Sequence, residues 1–261
     1  MTGAPDRKQR VDTSLWSVAA RCLSIDIEVG VNDRRIDRFA AVRGDSGQGF
    51  VHRGKAQVGE ALARLDRFAQ GAEFLLGHNI VAFDAPFLGA ANAGLQLLTL
   101  PMLDTLRLNP LAFPRNPHHH LVKHYQEGAL KRGSRSDPDL DARLTLTLLE
   151  DQTEAMRSTG ATQPDLLAAW HWLTCVDDAD AALDAFFTHV REQSCPSDVE
   201  GRAAVSRCLA GHGCDAQGTA ILSQPRRSGW AVAYALAWLS VAGARNAPRC
   251  STGFASVMSA S

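Results

Sequence analysis

The sequence predicts an α/β protein: a mixed sheet with flanking helices over residues 21–158, then a small all-helical domain over residues 164–243. Three observations carry this. Leu23, Ile25, Ile27 and Val29 alternate with Ser24, Asp26 and Glu28, the period of a strand with one buried face. From Gln57 onward, short apolar runs alternate with segments of helical periodicity, as in a sheet covered by helices. After Pro164 strand patterning stops, and Ala/Leu-rich segments repeat at helical spacing.

The elements follow in order. Residues 1–20 read as a loosely ordered leader, and Met1 to Arg10 is charged and lacks an apolar signal-peptide core. Strands are expected at 21–29, 36–43 and 49–53, separated by the turn-forming Asn32-Asp33 and Asp45-Ser46-Gly47. Gln57–Ala69 is helical, with Val58, Leu62, Leu65 and Phe68 on one face. Glu73–Leu76 is a short inner strand. Ala82–Ala93 is a helix that tolerates Asp84 and Pro86 in its first turn. Leu100–Leu103 is a further strand, and Leu121–Gln126 and Asp139–Met156 complete the pattern. Helices then follow at Leu166–Leu173, Ala179–Val190, Val199–Leu209, Gln217–Ser223 and Trp230–Val241. Their Trp and Phe side chains, at helical spacing, are expected to be mostly core. Residues 244–261 lose all periodicity and read as an irregular tail.

Composition narrows the function classes. With 45% hydrophobic and 21% charged residues the chain is an ordinary globular protein, and a net charge of −1 excludes a bulk polyanion binder. The longest apolar run, near Trp230–Val241, is too short to cross a bilayer, so no membrane partner is expected. The six cysteines form no C-x-x-C pair, and Cys208, His212 and Cys214 fit no common zinc spacing. Reduced thiols and a cytoplasmic location are the expectation. One segment is strongly basic: residues 115–135 carry Arg115, Lys123, Lys131, Arg132 and Arg135 against Glu127, with His118, His119, His120, His124 and Tyr125 among them. Such a stretch suits a nucleic-acid backbone, and equally a solvated loop and helix face.

The chemistry is concentrated in carboxylates. Asp26 and Glu28 share one face of a strand, about 7 Å apart along it. Like charges that close need a compensating cation, and Mg²⁺ ions serve this role in phosphoryl transfer. Two further acidic motifs follow. Phe74–Asn79 is an apolar strand ending in Gly77-His78-Asn79, with Phe83-Asp84 three residues later; Asp137-Pro138-Asp139-Leu140-Asp141 opens a helix.

In this order the three motifs resemble Exo I, Exo II and Exo III of the DEDD superfamily of 3′–5′ exonucleases, over residues 21–158. The resemblance implies a ribonuclease-H-like fold. It implies two Mg²⁺ or Mn²⁺ ions held by Asp26, Glu28, Asp84 and Asp141, and release of nucleotides from a 3′ end, with single-stranded DNA the favoured substrate. Asp104-Thr105 resembles an Asp-Thr pair found between the second and third motifs. The nucleic-acid contacts expected are His78, Asn79 and Phe83, with Arg115, Lys123, Lys131 and Arg132. Read as a residue rather than a motif member, His78 is a turn residue that satisfies backbone groups.

The run from Asp104 to Tyr125, with Ala168–Leu173 and Tyr234–Val241, is similar to the N-terminal exonuclease-like region of large bacterial RecQ-type helicases. No Gly-x4-Gly-Lys-Ser/Thr phosphate loop occurs in the chain, so the helicase motor of such relatives is expected to lie outside it, the chain reading as an N-terminal fragment or truncated product. The third motif departs from the superfamily. Its usual His is Ser136 here, and its usual Tyr is Asp137. Asp137 either substitutes as a catalytic group or caps the helix before Pro138. Three readings therefore stand: a metal-dependent exonuclease, a weak or inactive nuclease-fold module that binds nucleic acid or docks a motor, and a nonfunctional truncated product.

Overall fold

The computed structural model describes residues 17–119, 121, 137–210, 212, 223 and 225–242. Lys123, Lys131, Arg132 and Ser136 lie outside these residues, as do most of the expected Leu121–Gln126 and Gln217–Ser223 segments, the leader and the tail.

Five strands form one mixed sheet: β1 (Cys22–Val29), β2 (Ile36–Arg43), β3 (Gly49–Arg53), β4 (Phe74–Gly77) and β5 (Met102–Asp104). Their order is β3-β2-β1-β4-β5. The first three pair antiparallel through short turns, whereas β1, β4 and β5 run parallel. Parallel neighbours need crossovers, and α1 (Val58–Phe68) and α2 (Asp84–Ala91) supply them. The chain is thus of the α/β class, with the mixed sheet, flanking helices and helical C-terminal region that the sequence predicts.

The period-two pattern sorts the two faces of β1. Leu23, Ile25 and Ile27 join Phe39 and Ala41 of β2, Leu62 and Leu65 of α1, and Leu88 of α2 in one apolar cluster. Ser24, Asp26 and Glu28 face the other side. Between Glu28 and Val29 the register slips, so that Asp37 and Arg38 together oppose Glu28, and Ile36 returns to the core. Gly77 ends β4 where a Cβ would stand 2.6 Å from that of Ile80, so the tight Gly-His-Asn turn needs glycine.

The remaining helices are α3 (Thr105–Ala112), α4 (Pro138–Thr162), α5 (Pro164–Thr174), α6 (Ala181–Arg191), α7 (Asp198–Leu209) and α8 (Gly229–Ala242); α4 packs on β1 to β4 and α6 on β5, and the others pack on these and on one another. One cluster runs without a break from Phe74, Leu76 and Leu103 of the sheet to Trp170, Phe186, Val205 and Leu236 of these helices. Trp170 and Trp172 are fully buried, their indole N–H groups donating to the Ala233 carbonyl (3.1 Å) and Asp198 (2.9 Å). Trp238 departs from the expected burial and is 53% exposed. Two helices also differ from the sequence reading. Helix α4 continues past Met156 to Thr162, through Gly160, where a Cβ would stand 2.7 Å from Leu167 Cδ2. Helix α3 lies where the sequence reading expects no element, and holds Pro110 within its eight residues. Among the described residues, no helix is long and apolar enough to cross a membrane.

Candidate metal and phosphodiester site

The open face of β1 carries Asp26 and Glu28, and the first turn of α4 brings Asp141 to them. Carboxylate oxygens of all three lie within 4.8 Å of one another. Ser24 fixes this juxtaposition. It lies on the same face as the two acids, is fully buried, and donates its hydroxyl to the Ala142 carbonyl at 2.8 Å. That bond ties the residue beside Asp141 to the strand that carries Asp26. Inside α4, Thr145 donates to the Asp141 carbonyl at 2.8 Å.

Asp84 approaches from the other side of the chain. At the start of α2, its Oδ1 accepts the Ile27 backbone N–H at 3.0 Å, between Asp26 and Glu28. It is 2% exposed, and a carboxylate in the first turn of a helix is favoured by the helix dipole. Burial still dominates. It pushes Asp84 up to about 7, against the lowering effect of the Ile27 N–H and with the charges of Asp104 and Glu28 adding to it. Asp26 is pushed up to about 9, first by burial and then by the charges of Asp84, Asp141 and Glu28. Among the described residues, Asp26, Glu28 and Asp84 form no ion pair with Lys, Arg or His. A cluster of oxygen ligands that resists its own negative charge suits a hard divalent cation such as Mg²⁺ or Mn²⁺.

The remaining sequence candidates take other places. Asp137 is exposed and caps α4, its side chain accepting the Asp139 N–H at 3.3 Å, with Pro138 opening the helix. It is not one of the carboxylates within 4.8 Å of one another. Asp104 is 6% exposed, and its carboxylate accepts N–H groups of Asn79 (2.8 Å), Leu106 (3.0 Å) and Val81 (3.3 Å). That pins the Gly-His-Asn turn to the end of β5. Asn79 adopts the left-handed region there, at φ 76°, which Asn tolerates. His78 Nδ1 lies 2.9 Å from the Thr105 hydroxyl, which itself donates to the Gly77 carbonyl at 3.2 Å. The single hydroxyl proton is therefore spent, and His78 Nδ1 carries the proton between them. Phe83 packs on Phe87 with ring centroids 5.0 Å apart, and the Arg34 guanidinium lies 5.5 Å from the Phe87 ring. Arg115 is exposed on the loop after α3.

Two features escaped the sequence reading. A buried polar chain joins α4 to α3 and the loop beyond it. Gln152 donates to Asn109 (2.7 Å) and to the Thr105 carbonyl (2.8 Å), and Asn109 donates to the His119 carbonyl (3.3 Å). No short motif announces three residues so far apart. The second is a cluster of His171, Asp184 and Cys195, whose possible ligand atoms also lie within 4.8 Å of one another. Here His171 Nε2 meets Asp184 at 2.7 Å and Nδ1 meets the Arg191 guanidinium at 2.8 Å. Arg191 can only donate, so His171 Nδ1 accepts and Nε2–H donates. Burial, first, and the Arg191 charge push His171 down to about 4, against the opposing effect of Asp184. The cluster is a closed structural knot. Cys208, whose spacing fits no common zinc site, has its thiol pushed up to about 11 by burial.

Comparison with family models, with curated proteins and with solved structures finds no significant match to this chain.

Proposed function

We propose that this chain is a metal-dependent nuclease that hydrolyses phosphodiesters from the 3′ end of a nucleic acid, with single-stranded DNA the favoured substrate. The observation that carries the reading is the convergence of Asp26, Glu28 and Asp141 within 4.8 Å, with Asp84 bonded to the strand between the first two. Asp26, Glu28 and Asp141 would hold Mg²⁺ or Mn²⁺, and Asp84 would complete the ligand set directly or through water. Bound divalent ions supply a water of lowered pKa and neutralise charge on the phosphate. The chain's own part is positional. The Ser24–Ala142 bond holds the α4 acid against the β1 acids, and the Ile27–Asp84 bond holds the α2 acid behind them. Phe83 and Phe87 present half-buried rings near Asp84, where a terminal base can stack.

A second reading is favoured by Asp137. Its carboxylate serves the α4 backbone, and the position carries no Tyr, so the site lacks that helper for the attacking water. General-base help is typically worth about 10²–10⁴ in rate. We therefore propose slow turnover, and the limit of that trend is a module that binds nucleic acid, or docks a motor, without cutting.

The test is a 5′-labelled single-stranded DNA incubated with the purified protein and Mn²⁺ or Mg²⁺. A ladder shortened stepwise from the 3′ end, absent with chelator, supports the nuclease; binding without shortening supports the module. Ser136→His is expected to raise the rate.

A further inference from the structure

The face of the sheet that carries the acids also carries two arginines. Residues directly opposite one another on antiparallel strands share a face, with Cβ atoms about 5 Å apart. In β1, β2 and β3 the register aligns Glu28 with Arg38, and Arg38 with Arg53. One row across three strands therefore reads acid, cation, cation. The parallel row through Asp26 is Asp26, Ala40 and Val51. Helix α4 covers the other end of this face, where Ser24 meets Ala142 and Arg143 reaches the Gly47 carbonyl. Val51 remains 44% exposed and Arg53 is exposed, so the outer part of the face is open.

The two arginines are an unusual pair. Like charges directly across a sheet are destabilising. Among the described residues neither forms an ion pair, although Glu28 lies opposite Arg38. The Nε atom of Arg38 has no hydrogen-bond partner among the described residues, so the pair is not neutralised from within the sheet. Two other cations nearby are paired: Lys55 with Asp33 at 2.7 Å, and Arg143 with Asp139 at 3.0 Å. An anion shared between Arg38 and Arg53 would relieve their repulsion.

We propose that Arg38 and Arg53 form a subsite for a second phosphate of the substrate strand, neighbouring the phosphate that meets the carboxylates and not itself cleaved. The subsite rests on the nuclease reading above. It places the strand across β2 toward the β3 edge, over Val51, and makes the two arginines positioning residues. Guanidinium groups suit this task because their fork matches two phosphate oxygens. Contacts of this kind set register on the strand without reading its sequence.

The test is fluorescence anisotropy of labelled oligothymidylate with the full chain, titrated across KCl concentrations in Ca²⁺. Each phosphate contact contributes about 0.7 to the slope of log affinity against log salt for single strands. Arg38→Gln/Arg53→Gln is expected to lose several-fold in affinity at low salt and about 1.4 from the slope, with Arg38→Lys/Arg53→Lys recovering most of the slope. Arg53→Gln alone, at an exposed position, is expected to lose about half as much, and carries the test if the half-buried Arg38 site does not tolerate change. Arg64→Gln, an equal charge change on α1 behind the sheet, is expected to leave the slope as it is. A wild-type slope in the double variant and in Arg53→Gln, from a protein that still trims DNA, overturns the subsite alone. A wild-type protein that neither binds nor trims DNA overturns the nuclease reading and the subsite with it.

Discussion

Among the described residues, two clusters bring three ligand-type side chains within 4.8 Å of one another, and they differ in what surrounds them. In the helical region, His171 is held between Asp184 and Arg191, stacks on Phe187 with centroids 5.3 Å apart, and has both ring nitrogens engaged. Its charges cancel internally. On the sheet, Asp26, Glu28 and Asp141 are acids only, with Asp84 close behind, and burial and mutual repulsion drive Asp26 up to about 9. Proximity of ligand atoms is therefore a poor sign of a metal site. The informative quantity is charge left without compensation, which a folded protein tolerates where a ligand supplies it.

The largest expected effect that sharpens this contrast is on turnover. Asp26→Asn removes a central carboxylate of the proposed site while keeping shape, and metal-dependent trimming should fall roughly 10³-fold or more, since metal stabilisation of the reacting phosphate is worth several kcal/mol. His171→Ala should leave the trimming rate near that of wild type but lower stability by about 2–4 kcal/mol, because it leaves Asp184 and Arg191 without their shared partner. A denaturant melt of both variants, set beside their rates, would break the contrast if the two phenotypes were exchanged.

The acids should also make stability depend on pH in an unusual direction. A carboxyl raised on folding must ionise at a cost, which is absent below its unfolded value near 4 and grows as pH rises toward the folded value. For Asp84 and Asp26 those folded values are about 7 and about 9. Metal-free protein should therefore lose melting temperature by several degrees between about pH 5 and pH 9. Saturating Mn²⁺ should flatten the curve, and Asp26→Asn should flatten its upper part. A metal-free melting temperature that climbs over this range would contradict the burial of unpaired acids.

The smallest expected effect concerns Asp137. As a helix cap its removal in Asp137→Ala should cost about 1 kcal/mol, and Asp137→Ser should restore most of it. If Asp137 acted on the attacking water instead, the serine variant would recover stability without recovering rate.

Much of this architecture was legible because it rests on local pattern. The alternation around Asp26 set β1 and its two faces. Turn residues set the limits of β2 and β3, and Pro164 marked the start of α5. The acids of the site were legible for the same reason, since each lies in a short stretch that fixes its own geometry. What was hidden depends on distant partners. Ser24 shows only as one more polar residue on the acidic face, yet its bond to Ala142 spans 118 residues. The Arg38–Arg53 row depends on strand register, which a slip at Glu28 and Val29 resets. Gln152 and Asn109 look like ordinary surface amides until α3 and α4 pack. Asp104 reads as part of an acidic motif, and only the fold shows its carboxylate bound to three N–H groups.

The central claim is that the unpaired acids of β1 and α2, together with Asp141 of α4, form a divalent-cation site. Calorimetric titration of the purified protein with Mn²⁺ tests it most directly, because it needs no substrate and no turnover. The account predicts saturable binding in wild type, its loss in Asp26→Asn, and its retention in His171→Ala. Absence of binding in wild type, or binding that survives Asp26→Asn and disappears in His171→Ala, would contradict it.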